Sequence, residues 1–330
     1  MRALTYDDVL LVPLYNHHDS RRDVDISMVD KSNKLHLNLP IMSSNMDTIT
    51  ESEMAIALSR RGGVGVLHRF MSFEKNIEEF KKCSEHGSVF VSVGCTRLEL
   101  ERAEALYSAG AEYFCVDVAH AHSKYVGKTL SILREKFSDN CCIMAGNVCS
   151  YAGADFLVSK GADIVKVGIG PGSVCTTRIK TGFGVPQLTA IQECQRINRS
   201  IVADGGIRFP GDVVKALAFG ADFVMIGGMF AGTSETPTIK GNKIYRGMAS
   251  KEAAEDFFGG LPEWRTAEGV LVEVKPKGSV NLVIDDIVGG LRSGLTYGGS
   301  LDIRELQRKL DYVRITKNGL IESQAHKEMF

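Results

Sequence analysis

The sequence has no long basic run, no CxxC pair and no apolar stretch long enough to cross a bilayer, and each absence removes a class of function. Lys and Arg total 39 against 40 for Asp and Glu, a formal net charge of −1. Without a local cluster of one sign, neither nucleic acid nor a membrane surface is expected as a partner. The eight cysteines are scattered, two of them adjacent at Cys141 and Cys142, so neither a zinc site nor a redox dithiol is indicated. Reduced, buried thiols in a cytoplasmic protein are the expectation. The opening MRALTYDDVLLVPL sets acidic residues before a very short apolar run and lacks a small-residue cleavage site, so no signal peptide is expected.

What is present is a hydrophobic content of 44% over 330 residues, ample for a large core and a length that α/β barrels reach as one domain. Eight short apolar runs recur along the chain. They are LPIMSS (39–44), GGVGVLH (62–68), SVFVSVG (88–94), YFCVDVA (113–119), CIMAGN (142–147), IVKVGIG (164–170), IVADGG (201–206) and FVMIGG (223–228). Near-continuous Val- and Ile-rich runs suit strands covered on both faces. Between them ESEMAIALSRR (51–61), RLELERAEALYSAG (97–110) and GDVVKALAFGA (211–221) carry helical spacing. Gly110, Gly161 and Gly220 fall where helix C-caps belong, in the recurrence AGAEY, KGADI and FGADF. The pattern predicts an α/β fold, a (β/α)₈ TIM barrel forming a single domain over residues 1–330, with a doubly wound open sheet as the alternative. Neither GIGPG nor GGVGV fits a dinucleotide-binding G-x-G-x-x-G opening a helix, which argues against a Rossmann domain.

Two connections break the rhythm: a loop over 170–187 and a segment of about 229–278 before a last helical stretch, NLVIDDIVGGLRSG (281–294). In a barrel both lie on the C-terminal face, where chemistry is done. The seventh and eighth runs end in Asp204-Gly205-Gly206 and Gly227-Gly228. Such glycines either turn the chain or let backbone amides approach phosphate, and their place after the last two strands favours phosphate. Asp204 can accept both hydroxyls of a ribose or be a solvated loop acid. Most cysteines read as small core hydrophobes, whereas Cys175 lies in a glycine-rich loop ahead of Thr176, Thr177 and Arg178. Amides and a nearby cation there favour a thiolate nucleophile, although position alone does not separate it from a structural thiol. Gly170 and Gly172 space several carbonyls so that the turn either holds a monovalent cation or is simply flexible. The stretch 243–274 mixes Gly, Trp, Arg and Glu without a clean period, as a mobile flap would, and Glu268 within it is a candidate acid or base.

The stretch GIGPGSVCTTR followed by TGFGVPQ closely resembles the active-site loop of the IMP dehydrogenase/GMP reductase family. The resemblance continues through LTYDDVLLVP (4–13), NMDT (45–48), DVAHAHS (117–123), AGNV (145–148), ADGGIR (203–208), FVMIGGMFAGTSE (223–235), YRGM (245–248) and GGLRSGLTYGG (289–299). It implies a homotetrameric barrel enzyme in which Cys175 bonds to carbon 2 of a purine nucleotide while Thr177 and Glu268 relay protons. By the same motifs Ser173, Gly205, Gly206, Gly227 and Gly228 would hold the phosphate and Asp204 the ribose diol. Gly247, Met248 and Ala249, with Arg265, Thr266, Ala267 and Gly269, would frame the base. Asp117, Val118 and Ala119 resemble a nicotinamide-ribose contact with Asn147 and Arg69 nearby. Ser20, Arg21 and the run Ser293, Gly294, Leu295, Thr296 resemble dinucleotide contacts that partly reach a neighbouring subunit. Carbonyls of Gly170, Gly172 and Cys175 would hold a potassium ion.

The family runs two chemistries, oxidation of IMP with NAD⁺ and reductive deamination of GMP with NADPH. Three features of the sequence resemble the reductase branch. His68 to Ser88 is an ordinary connection with no room for an inserted regulatory module. EDFFGG (255–260) stands where dehydrogenases carry a water-activating Arg-Tyr pair, and EWRTAEGVLVEV has the reductase's aromatic-Arg-x-x-Glu order. The tail YVRITKNGLIESQAH and the loop's VPQ look closer to dehydrogenases, and Ala267 replaces a serine common in reductases.

Overall fold

The computed structural model describes residues 3–323, so the last letters of the tail motif lie outside the described residues. Every one of the eight apolar runs is a strand: β1 Ile41–Ser43, β2 Val64–Leu67, β3 Val89–Val93, β4 Tyr113–Asp117, β5 Cys142–Val148, β6 Ile164–Val167, β7 Ser200–Asp204 and β8 Phe223–Ile226. They are all parallel, pair in chain order, and close when β8 pairs with β1 through Met225↔Met42 and Ile226↔Ser43. The open-sheet alternative is thereby excluded. Burial on both faces explains the composition, for every residue of β1, β2, β3, β6 and β8 is buried.

The outer layer begins with helix α1, Ser52–Arg60. The next four helices are α2 Phe73–Ser84, α3 Arg97–Ser108, α4 Lys124–Phe137 and α5 Tyr151–Ser159. Each is opened by a hydroxyl cap, Ser72, Thr96, Ser123 or Ser150, that accepts from the amide three residues on and so satisfies an otherwise orphaned donor. Two more, α6 Gln187–Cys194 and α7 Pro210–Ala218, flank β7. Gly110, Gly161 and Gly220 do follow helix ends, with φ of 101°, 103° and 111° that side chains rarely adopt. Helix α1 lies so close to β2 that a Cβ on Gly65 would sit 2.4 Å from the Ala55 Cβ.

The two long connections are more ordered than their sequence suggested. The 170–187 loop holds a one-turn helix, Thr177–Thr181, ended by left-handed Gly182. The flap holds an antiparallel pair, β9 Ile244–Arg246 with β10 Leu271–Glu273, and between them α8 Lys251–Phe258, capped by Ser250. Elements this short carry no readable period, and the pairing joins residues far apart in sequence. Helix α9, Val280–Tyr297, then covers the barrel beside α7. A short strand Val9–Leu11 pairs with Tyr312–Arg314, bringing the ends of the described chain together. No helix among the described residues is long and apolar enough to cross a membrane.

Candidate active site

At the C-terminal ends of the strands lies a cavity of about 410 Å³, and most of the residues singled out in the sequence line it. Cys175 is fixed by backbone pairing. Its N–H donates to the Gly172 carbonyl at 3.0 Å, Thr176 N–H donates to the Glu268 carbonyl at 2.9 Å, and Val270 N–H donates to the Val174 carbonyl at 3.0 Å. The flap thereby carries Glu268 to the loop. The Cys175 thiol donates to Thr177 Oγ1 at 3.2 Å, and that hydroxyl donates to Glu268 Oε2 at 2.8 Å. A thiol, a hydroxyl and a carboxylate thus form one chain along which a proton can pass. Burial pushes the thiols of Cys83 and Cys115 up to about 12 and that of Cys141 up to about 11, which keeps these core residues protonated.

A second group converges on the glycine pairs. Gly205 and Gly206 have φ of 93° and 83° and press against Pro171 and Gly172. A Cβ on Gly227 would stand 3.0 Å from Tyr245 Oη and 3.1 Å from Ser44 Oγ, and one on Gly228 would stand 3.3 Å from Ser173 Oγ. Missing Cβ atoms ringed by hydroxyls make a cradle for a polar, oxygen-rich group. Tyr245 was not among the candidates, although it opens the YRGM motif. Burial raises its phenol above the usual value, partly offset by its hydrogen bond with Ser173, so it remains a donor.

Between these groups stands Lys166, also missed, whose charge interrupts the apolar run of β6 and is the signal that marks it. Its ammonium lies 2.7 Å from Asp117 Oδ1 and 3.0 Å from Asp204 Oδ2. Burial pulls the ammonium's pKa down, but the two carboxylates outweigh it and hold it above its usual value. Burial likewise raises Asp117, and Lys166 more than reverses that, leaving it lowered. Asn147 Nδ2 donates to the same Asp204 Oδ2 at 2.9 Å, which leaves Oδ1 of this cavity-lining residue for a ligand. Asn147 Oδ1 is buried without a partner among the described residues, an acceptor that a ligand hydroxyl would satisfy.

Not every predicted residue joins the cavity. Gly247, Met248, Ala249, Gly170, Gly172, Ala119 and Asn147 do, and Gly269 backs Cys175 through a β-bridge. Val118 packs behind Ala119 against the core. Arg265 is exposed, 6.0 Å over the Trp264 ring, with exposed Thr266 and half-buried Ala267 beside it. Arg69 stands off on Glu99 at 3.6 Å, its Nε buried and unpartnered among the described residues. Arg21 meets α9 instead, lying 5.9 Å over Tyr297, and Ser20 bonds only within its own turn, to Arg22 and Asp23, while Ser293 and Gly294 line a separate groove with Leu11–Leu14 and Leu295 and Thr296 turn inward. The arginines bordering the cavity or on the flap hairpin are engaged. Arg178 donates to the Val185 carbonyl at 2.7 Å, Arg208 pairs with Asp7 at 2.5 Å, and Arg246 is buried between Asp47 and Asp256.

The family model of the IMP dehydrogenase / GMP reductase domain matches residues 3–326. The chain belongs to that family. Mouse GMP reductase 1 is 40% identical over 95% of both chains, and the inosine-5'-monophosphate dehydrogenase of Cryptosporidium parvum is 37% identical over 98% of this chain and 95% of its own. Among solved structures of the family, an inosine 5' monophosphate dehydrogenase from Legionella pneumophila is 63% identical with a TM-score of 0.87, covering 96% of this chain and 100% of that one. A cysteine-to-alanine variant of GMP reductase from Trypanosoma brucei, solved with guanosine 5'-monophosphate, is 29% identical with a TM-score of 0.90 over 99% and 98%. The family's oxidoreductase chemistry on purine nucleotides accords with the thiol, the proton chain and the oxygen cradle of this cavity.

Proposed function

We propose that this enzyme is a GMP reductase, converting GMP to IMP and ammonia with NADPH. The thiolate of Cys175 adds to purine carbon 2, the bond from carbon 2 to the exocyclic nitrogen breaks, and Thr177 with Glu268 protonates the departing amine. The phosphate sits on Gly205, Gly206, Gly227 and Gly228 with Ser173, and the ribose diol faces Asp204. NADPH bound here would supply the hydride that takes the amine's place, with Asp117, Ala119 and Asn147 lining its nicotinamide-ribose end. The sulfur–carbon bond then breaks and Cys175 recovers its electron pair. A potassium ion would take the carbonyls of Gly170, Gly172 and Cys175, all oxygen donors, and the assembly is proposed as a homotetramer.

The observation that carries the choice of branch is the flap. Hydrolysis of the covalent adduct needs a water activator, and EDFFGG offers neither arginine nor tyrosine there. Phe257 instead packs on Phe70 at 5.4 Å, and Arg246 is held by two carboxylates. A second reading, oxidation of IMP with NAD⁺, is favoured by the 63% identity to a protein named as a dehydrogenase. Mixing the protein with GMP and NADPH and following NADPH loss with ammonia release tests the first reading, and IMP with NAD⁺ tests the second. Turnover only with the latter pair overturns the reductase assignment.

A further inference from the structure

The N-terminal turn Tyr6–Asp8 is fastened to the mouth of the barrel beside the glycine cradle. Thr5 and Asp8 cap it reciprocally, Arg208 holds Asp7 at 2.5 Å, and Lys215 Nζ donates to the Tyr6 carbonyl at 2.8 Å. Further back, Leu4 N–H donates to Thr189 Oγ1 at 2.7 Å. This anchoring pushes one large side chain inward. Tyr6 is 3% exposed, yet its ring borders the same cavity as Gly205 and Gly206. A Cβ on Gly206 would stand 3.3 Å from Tyr6 Cε2, a ring carbon one bond from the carbon that bears the hydroxyl.

That hydroxyl has no hydrogen-bond partner among the described residues. A buried donor left unmade is costly, and native structures rarely keep one without a ligand or water to meet it. Burial and the charges of Asp212 and Asp204 raise the phenol well above its usual value, against Arg208, so the group keeps its proton. Next to a cradle shaped for an oxyanion, a protonated and unpartnered hydroxyl is a donor awaiting an acceptor.

We propose that the Tyr6 hydroxyl donates to the phosphate of the bound nucleotide, making the N-terminal turn a wall of the substrate site. The inference rests on the reading of this cavity as a purine 5′-monophosphate site and adds a ligand to it from outside the barrel strands. It separates Tyr6 from a tyrosine that merely fills space, because only the phosphate should feel its loss.

The test is Tyr6→Phe in the full-length protein, with GMP and guanosine titrated by calorimetry and inorganic phosphate as competitor. A hydrogen bond to a charged group corresponds to roughly tenfold or more in affinity. GMP binding and phosphate competition should weaken by about that factor while guanosine binding stays the same. The ring is retained and the lost hydroxyl has no protein partner, so the ligand-free melting temperature should hold or rise. GMP affinity within twofold of wild type, or equal weakening of guanosine, overturns the proposal while leaving the cavity's reading intact. Failure of the unaltered protein to bind GMP or IMP overturns the reading itself, and the role of Tyr6 with it.

Discussion

Replacing Lys166 with methionine should destabilise the protein in a way that depends on pH. The side chain fills similar space, but removal of the ammonium leaves Asp117 and Asp204 facing each other without the cation that now stands 2.7 and 3.0 Å away. Losing one partner of a buried ion pair costs about 3–5 kcal/mol. The two carboxylates keep 21% and 18% exposure toward the cavity, so screening sets the cost near the lower figure, about 3 kcal/mol. For 330 residues the unfolding entropy is roughly 0.7 kcal/mol/K, which converts that cost to a fall in Tm of about 4 °C. The sign with pH follows from Asp117. In the native protein its folded pKa is lowered, so it contributes stability above its unfolded pKa and loses it as pH falls through the folded value. Without Lys166 the burial that raises it is opposed only by the lesser effects of Arg69 and Asn45, so protonation then stabilises the fold as pH drops. The deficit should therefore be largest near pH 7 and shrink as the pH falls toward the unfolded aspartate's value of about 3.9. Thermal melts of both proteins across that range decide it; a deficit of constant size, or none, refutes the ion-pair account.

Cys175→Ala should abolish turnover while GMP affinity stays within a few-fold by calorimetry, and retained activity would remove the nucleophile from the scheme. Thr177→Ala and Glu268→Ala should each slow amine release by about 10²–10⁴-fold, with hydride delivery to a preformed adduct less affected. Rapid-quench measurement of ammonia against NADPH oxidation separates the two steps, and equal loss in both argues against a proton chain. Gly65→Ala should cost about 1–3 kcal/mol, because its Cβ meets the Ala55 Cβ at 2.4 Å and Cα at 2.6 Å. An unchanged melting temperature would mean α1 shifts off β2 freely.

How far the sequence could be read follows from how far apart the interacting residues lie. Strands covered on both faces write themselves as unbroken apolar runs, and a left-handed glycine after a helix is local, so β1–β8 and the ends at Gly110, Gly161 and Gly220 were legible from short windows. The oxygen cradle was half legible: the glycine pairs end recognisable strands, but Tyr245 arrives from the flap and Tyr6 from the N-terminal turn, and neither has a neighbour in sequence that points to phosphate. Family resemblance named Glu268, whereas spacing alone could not, since its partner Thr177 lies 91 residues earlier and the two meet only because the flap pairs with the loop. Lys166 carries the sharpest lesson. A charge inside a run of Ile and Val is expensive to bury, and the expense is tolerated only with opposite charges close by. The sequence already held Asp117 and Asp204 at the ends of two other strands, and barrel closure brings both within hydrogen-bond reach of Lys166. A polar residue that violates its strand's pattern is therefore a pointer to acids elsewhere at strand ends, and searching for them would have found the charged centre of this cavity from the sequence alone.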